Sequence, residues 1–190
     1  MSPPEDTQKR EQARSAFRSF WKDDRKACFV MERSDAYCDC DVFLPTFASR
    51  LGLVFRSVVI HLSRAIPPCR LKVAALRLAG MKIGRNVYVA PGVMIDPLWP
   101  CLIEIGDGVI LGMGCRLLTH EYSATRFRIG AIRIGERSVI GAGATIRSGV
   151  TIGCRSTIGC NSFVNSDVAD DETVGGVPAQ PLTGSAGGQT

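Results

Sequence analysis

The sequence predicts an all-β solenoid of triangular coils, preceded by an α-helical N-terminal extension. The first observation is a six-residue beat, in which aliphatic residues return at positions 134, 140, 146, 152, 158 and 164. This period matches neither the helix period of 3.6 nor the strand period of 2, and a fixed longer period indicates a repeat architecture. The second observation is that glycine often follows the aliphatic residue, where the backbone has to bend at a corner.

The N-terminal extension, residues 1–80, is predicted to be helical. Between 46 and 65 the apolar residues recur at helical spacing on one face, and Pro67 ends that pattern. A second short helix is predicted over 69–80, because Gly80 suits a helix C-terminus.

The repeat domain is predicted over residues 81–182. Six residues provide one short strand and a corner, so three such units complete a coil, which stacks on the next coil at about 4.8 Å. Twelve units are present from Ile83 onward, enough for four coils, and an eleven-residue loop, SATRFRIGAIR, interrupts them. The Gly/Ser-rich tail, residues 183–190, is expected to be disordered.

Composition and charge argue against several classes of protein. No apolar run approaches the roughly 18 residues of a membrane span, and the N-terminus lacks the apolar segment of a signal peptide, so we expect a cytoplasmic protein. The eight cysteines form no C-x-x-C pair and have no histidines at zinc-like spacing, so no metal is predicted. The six basic residues of 42–80 are too local and too interleaved with apolar residues to indicate nucleic-acid binding.

The repeats, the interrupting loop and the closing VGGVPAQPL resemble the hexapeptide-repeat (left-handed parallel β-helix) acyltransferases, with the maltose and galactoside O-acetyltransferases as the nearest branch. The resemblance covers about residues 81–182. It implies a left-handed coil, a homotrimer with each active site shared between two subunits, and acetyl-CoA as the acyl donor. It also implies direct transfer to a hydroxyl of a small, sugar-like acceptor without an acyl-enzyme. In agreement, no Ser or Cys lies in a recognisable nucleophile motif.

His120 is the candidate general base. It lies in CRLLTHEYS, where the chain leaves the second coil, and this position matches the active-site histidine of the family. A neutral imidazole can remove the proton of an attacking hydroxyl near pH 7. Glu121 and Asp96 are candidates to orient the imidazole or the acceptor. We assign Glu121 to catalysis and Asp96 to acceptor binding, because the resemblance implies an acceptor-binding acid near Asp96.

Arginines and small residues complete the predicted site. Arg126 and Arg128, in the interrupting loop, either hold an anionic acceptor or face solvent. The resemblance implies that acetyl-CoA lies in a groove between subunits, against backbone groups and small side chains at Gly141, Ala142, Gly143, Ala144, Gly159 and Cys160. No basic residue follows Arg155, although the family often places a lysine and a basic tail there. Arg147 and Arg155 are therefore the candidate ligands of the CoA phosphates.

Several alternatives remain open at this point. The chain could be a noncatalytic trimeric scaffold, or an acyltransferase that acts on an amine or amino acid. Two related classes are argued against by the sequence. A γ-class carbonic anhydrase needs three histidines at its zinc, whereas only His120 lies in the repeat domain, and the His-rich acceptor motif of serine acetyltransferase is missing. Residues 46–66 either pack within the protein or form a basic amphipathic helix on an anionic membrane.

Overall fold

Two helices precede the repeats. The computed structural model describes residues 28–32, 50–123 and 126–182, together with six helical residues between 12 and 20. After strand β1 (Cys28–Glu32), which the sequence did not predict, helices α1 (Arg50–Ala65) and α2 (Arg70–Leu78) confirm the two predicted helices. Residues 46–49 and the tail 183–190 lie outside the described residues.

The predicted solenoid of four triangular coils is confirmed. The strands after α2 are β2 (Lys82–Ile83), β3 (Tyr88–Val89), β4 (Met94–Ile95), β5 (Ile103–Ile105), β6 (Ile110–Leu111), β7 (Arg116–Leu117), β8 (His120–Tyr122), β9 (Arg126–Gly130), β10 (Ile132–Ile134), β11 (Val139–Ile140), β12 (Thr145–Ile146), β13 (Thr151–Ile152), β14 (Thr157–Ile158), β15 (Phe163–Val164), β16 (Thr173–Gly175) and β17 (Gln180–Pro181). Parallel strands form three walls, and the order in which they pair is β2-β5-β10-β13 in the first wall, β3-β6-β11-β14-β16 in the second and β4-β7-β12-β15 in the third.

The strand register places the aliphatic side chain of each six-residue unit inside the prism. Ile134 pairs with Ile152, and Ile140 pairs with Ile158, as the spacing predicts. These four side chains are almost fully buried, so each coil stacks apolar side chains on those of the next. The prism continues beyond the twelve predicted units, because Val168 bridges Ile152 and β16 pairs with β14. The uneven spacing after Val164 hides this partial fifth coil from the sequence pattern.

Corners of the prism require very small residues. A Cβ on Gly141 would lie 2.6 Å from the backbone nitrogen of Cys160 in the next coil, so glycine lets the coils stack at strand spacing. Buried serines occupy the narrow corners, where the Ser138 Oγ donates to the Gly153 carbonyl (2.6 Å) and the Ser156 Oγ donates to that of Ala169 (2.7 Å). These bonds satisfy hydroxyls that would otherwise be buried without a partner.

The helices pack on the first coil. Ile60 of α1, with Leu76 and Ala79 at the end of α2, joins the same apolar core as the strands of the first coil. The Lys72 ammonium is buried and donates to the Ala90 carbonyl (2.8 Å). The two helices therefore close the N-terminal end of the prism.

The interruption between the second and third coils is a β-hairpin, so the predicted loop is wrong. Strands β8 and β9 pair antiparallel, and β9 also pairs antiparallel with β1. The run RFRI alternates polar and apolar residues, as expected of a strand with one buried face. We call the three strands β1, β9 and β8 the inserted sheet; it stands where the chain passes from the third wall to the first.

Candidate active site

The inserted sheet has two chemically different faces. Its register places His120 opposite Ile129 and Glu121 opposite Arg128. Because successive side chains of a strand point to opposite faces, the imidazole lies on one face and the Glu121 carboxylate on the other. The imidazole face also carries apolar and aromatic residues, and the other face carries arginines.

A buried carboxylate holds the imidazole in place. The His120 Nδ1 is hydrogen-bonded to the Asp96 Oδ2, which comes from the end of the first coil. The same oxygen accepts from the Thr119 hydroxyl (2.6 Å) and backbone N–H (3.1 Å), and the Asp96 Oδ1 accepts from the Leu98 N–H (3.0 Å). The Asp96 side chain is 1% exposed and that of His120 is 21% exposed. Asp96 is thus enclosed, whereas part of the imidazole remains accessible.

These contacts keep Asp96 ionised. Burial by itself raises the pKa of the carboxyl, but the hydrogen bond and positive charge of His120 lower it, as do the Thr119 hydroxyl and the Leu98 N–H. The net result is a pKa below the ordinary value for aspartate. At neutral pH the carboxylate therefore accepts a hydrogen bond from the Nδ1–H of the imidazole. In a neutral imidazole this tautomer leaves the lone pair on Nε2.

Aromatic side chains surround the imidazole. The Trp99 ring meets the His120 ring edge-on at 5.1 Å, and the Tyr122 ring meets it edge-on at 5.5 Å. Phe127 packs against both Trp99 and Tyr122 and is itself buried. This packing restricts the ring rotation of His120, so the carboxylate and the aromatic rings together define one orientation of Nε2.

On the opposite face, Glu121 joins a cluster of arginines. Its carboxylate accepts from the Arg147 Nε (2.9 Å to each oxygen) and from the Ser148 hydroxyl (2.8 Å). The Arg128 Nη2 donates to the Ser148 carbonyl (3.0 Å). Glu121, Arg128 and Arg147, together with the exposed Arg126, line a cavity of about 390 Å³.

The structure gives the two predicted acids different surroundings. Asp96, predicted to bind the acceptor, is enclosed and has both carboxylate oxygens engaged, so it is placed to orient the imidazole. Glu121, predicted to be catalytic, points away from the imidazole and binds Arg147. The sequence could not separate the two, because their roles depend on strand facing and on a contact across 24 positions.

Except for Arg147, the predicted acetyl-CoA residues lie on other edges of the prism than His120. The turn 141–144 joins the second wall to the third, and Gly159 and Cys160 lie directly below it in the next coil. Arg155 lies in the turn between the first and second walls and binds Asp171 (2.6 Å). One chain therefore brings His120, Asp96 and Glu121 to one edge and the small-residue turns to another. Arg147 follows β12 on the His120 edge, bound to Glu121.

The sequence did not predict four residues that complete the imidazole environment: Thr119, Trp99, Tyr122 and Phe127. Thr119 precedes His120 directly, and its buried hydroxyl could have been suspected only from that adjacency. Trp99 and Phe127 carry no local signal, because their contact is made between the first coil and the hairpin.

Comparisons with known proteins agree with this architecture. A family model described as the hexapeptide repeat of succinyl-transferase matches residues 131–166. The chain is 36% identical over 129 residues to YvoF of Bacillus subtilis (strain 168), a protein named as an acetyltransferase; the match covers 67% of this chain and 75% of YvoF.

Solved structures show the same fold. A hexapeptide-repeat-containing acetyltransferase from Vibrio cholerae O1 biovar eltor, crystallised with acetyl coenzyme A, superposes with a TM-score of 0.60 at 26% identity, over 72% of this chain and 89% of that one. A maltose O-acetyltransferase from Clostridium difficile 630 shares the fold with a TM-score of 0.51 at 23% identity, over 70% of this chain and 88% of that one. Together with the identity to YvoF and the stacked six-residue units, these likenesses show that the chain belongs to the hexapeptide-repeat acetyltransferases of the left-handed parallel β-helix fold.

Proposed function

We propose that the protein transfers an acetyl group from acetyl-CoA to a hydroxyl of a small, sugar-like acceptor, with His120 as the general base. The observation that carries this proposal is the contact between the imidazole Nδ1 and the enclosed Asp96 carboxylate. A carboxylate at Nδ1 holds the tautomer in which Nε2 accepts a proton, and it stabilises the imidazolium that forms. The partial exposure of His120 leaves room for an acceptor to approach.

The residues account for each proton in the reaction. The acceptor hydroxyl passes its proton to the His120 Nε2 as its oxygen attacks the thioester carbonyl carbon. The carbon–sulfur bond then breaks, and the imidazolium returns the proton to the leaving CoA thiolate. A positioned base of this kind contributes on the order of 10²–10⁴ in rate.

The small-residue edge supports the assignment of the donor. Ala142 and Cys160 stand at equivalent places in neighbouring coils and have small side chains; the Cys160 side chain is exposed. Among the described residues their backbone N–H groups have no acceptor, so they can donate to the amide carbonyls of a pantetheine arm. The acetyl coenzyme A complex of the Vibrio cholerae relative further supports acetyl-CoA as the donor.

A homotrimer would unite the two half-sites. His120 and the turn 141–144 lie on different edges of one prism, so a complete site requires the imidazole edge of one subunit to adjoin the small-residue edge of another. Because Arg147 and Arg155 already bind Glu121 and Asp171, only their remaining N–H groups could bind a CoA phosphate without loss of those pairs. In the cavity beside the inserted sheet, the exposed Arg126 is the arginine best placed to meet an anionic group of the acceptor.

Substitution of His120 tests the proposal. We expect His120→Ala and His120→Asn to lower acetyl transfer on the order of 10²–10⁴-fold, with acetyl-CoA binding close to wild type. His61→Ala is the matched control, because His61 is exposed on α1 and its Nδ1 contacts only the Ser57 carbonyl of its own helix. Release of CoA thiol, measured against sugars, amino sugars, nucleotide sugars and amino acids, gives the rate and the acceptor class.

The outcomes separate the alternatives. Near-wild-type turnover by either His120 variant would place the base elsewhere. Faster transfer to amines than to hydroxyls would change the acceptor class but keep the base. Failure of the wild-type protein to bind acetyl-CoA in calorimetry would favour a noncatalytic scaffold.

A further inference from the structure

We propose that the outer face of the two helices binds the surface of an anionic lipid bilayer. This face, which we call the cap face, consists of Leu51, Val54, Phe55, Val58 and Leu62 of α1 with Leu71 and Leu78 of α2. The proposal does not depend on the reaction proposed above, because the cap face lies at the N-terminal end of the prism and His120 lies between the second and third coils.

The cap face is apolar and exposed. Its seven side chains are between 49% and 83% exposed. The five residues of α1 recur at helical steps of three and four, with Val54 and Phe55 adjacent, and form one stripe. On the other side of the helix Ile60 and Ser63 are buried against the protein. The helix is thus apolar on two sides, and the inward side alone accounts for its packing on the prism. A second apolar side requires a second apolar environment.

The charges around the cap face are of one sign. Residues 42–80 contain six basic residues and no acidic residue. Arg64 and Arg70 have exposed positions. The Arg77 guanidinium donates to the Ile83 and Gly84 carbonyls (3.0 and 2.6 Å), and the Lys72 ammonium donates to the Ala90 carbonyl. Arginines that flank an apolar helical stripe place guanidinium groups at the depth of lipid phosphates while the stripe enters the acyl boundary.

A bilayer fits these charges better than a second copy of the chain. Three acidic side chains on the outside of the prism already have basic partners: Glu104 binds Lys82 (2.6 Å), Asp107 binds Arg85 (2.8 Å) and Asp171 binds Arg155. Residues 42–80 contain no acidic residue, so the cap face of a second copy would offer the cap arginines no negative charge. Helix α1 has 16 residues, and among the described helices none is long and apolar enough to cross a membrane, so α1 would lie in the plane of the interface.

Flotation with lipid vesicles tests this proposal on the full-length protein. We expect the wild type to float with phosphatidylcholine vesicles that contain phosphatidylglycerol, and to float about tenfold less with phosphatidylcholine alone or at high salt. The triple variant Leu51→Ser/Val58→Ser/Leu62→Ser should reduce flotation about tenfold or more, because it removes apolar surface without touching the core. The matched control is Tyr88→Ser/Ile110→Ser, which removes exposed apolar residues from a wall of the prism and should float as the wild type does.

Each result decides the proposal. Flotation of the control together with loss of flotation in the triple variant would support it. It would be overturned if the wild type failed to float, or if the triple variant floated normally. It would also be overturned if the triple variant lowered the oligomeric state in light scattering, because the cap face would then be buried between subunits. Acetyl transfer by the triple variant in detergent-free buffer should equal that of the wild type, which separates failure here from failure of the catalytic proposal.

Discussion

The prism and the inserted sheet place their side chains in opposite ways. In the prism each buried side chain stacks on an equivalent one, as Ile140 does on Leu111 above and Ile158 below. In the inserted sheet adjacent residues have different surroundings, since His120 meets aromatic rings and Glu121 meets arginines. The repeated part holds the fold, and the part that breaks the repeat carries the candidate general base.

Polar contacts join these two regions. Asp96 and Ser148 belong to turns of the prism, and each binds a residue of the hairpin, His120 and Glu121 respectively. A regular scaffold can therefore orient an irregular insertion through a few hydrogen bonds. Changes in the prism should act mainly on stability, and changes at the junction with the imidazole should act mainly on rate.

The largest expected effect is on the prism itself. In Gly141→Ala the new methyl group would stand 2.6 Å from the backbone of the next coil, so the coils must separate, and we expect a loss of about 3 kcal/mol or more in unfolding free energy. The control is Gly114→Ala, where no atom lies within 4 Å and only the φ of +67° opposes alanine, at a cost of about 1 kcal/mol. Denaturant unfolding measures both; equal losses would show that the coil spacing tolerates a side chain.

The second-largest effect is expected where Asp96 of the prism contacts His120 of the inserted sheet. We expect Asp96→Asn to lower kcat on the order of 10²-fold, because the asparagine side chain lacks the negative charge that partners the imidazole. The acceptor KM should stay unchanged. Asp107→Asn, which alters an exposed ion pair of the prism, is the control and should leave kcat unchanged. Steady-state kinetics decide the role: a rise in KM at constant kcat would mean that Asp96 binds the acceptor.

A smaller effect is expected on the other face of the inserted sheet. Glu121→Gln weakens the pair with Arg147 and should lower unfolding free energy by about 1 kcal/mol, while kcat/KM changes less than about threefold. Thermal unfolding and thiol release measure the two quantities. A loss of rate similar to that of Asp96→Asn would instead make Glu121 part of the catalytic group.

The smallest effect distinguishes inward from outward positions within the prism. Burial raises the pKa of the Cys115 thiol to about 12, whereas the Cys160 side chain is exposed. Since the thiolate is the reactive form, iodoacetamide near neutral pH should label Cys160 and leave Cys115 unmodified until denaturant is added. Peptide mass spectrometry reads each site, and rapid labelling of Cys115 in the native protein would show that the prism opens.

Much of the fold could be predicted from the sequence, because the solenoid repeats its physical requirement. Every coil must bury aliphatic residues and bend at its corners, so the same requirement selects an aliphatic residue at positions 134, 140, 146, 152 and 158. His120 could also be singled out, since it is one of two histidines and stands where the repeat breaks.

Tertiary structure alone determined the contacts within the site. Asp96 meets His120 only because the coils bring positions 24 apart together, and Glu121 turns away because strand residues alternate in direction. The partners of Arg128 and Arg147, as well as the separation of His120 from the turn 141–144, likewise depend on which wall each strand joins. A periodic pattern constrains what every coil has in common, whereas a reactive site depends on contacts made once.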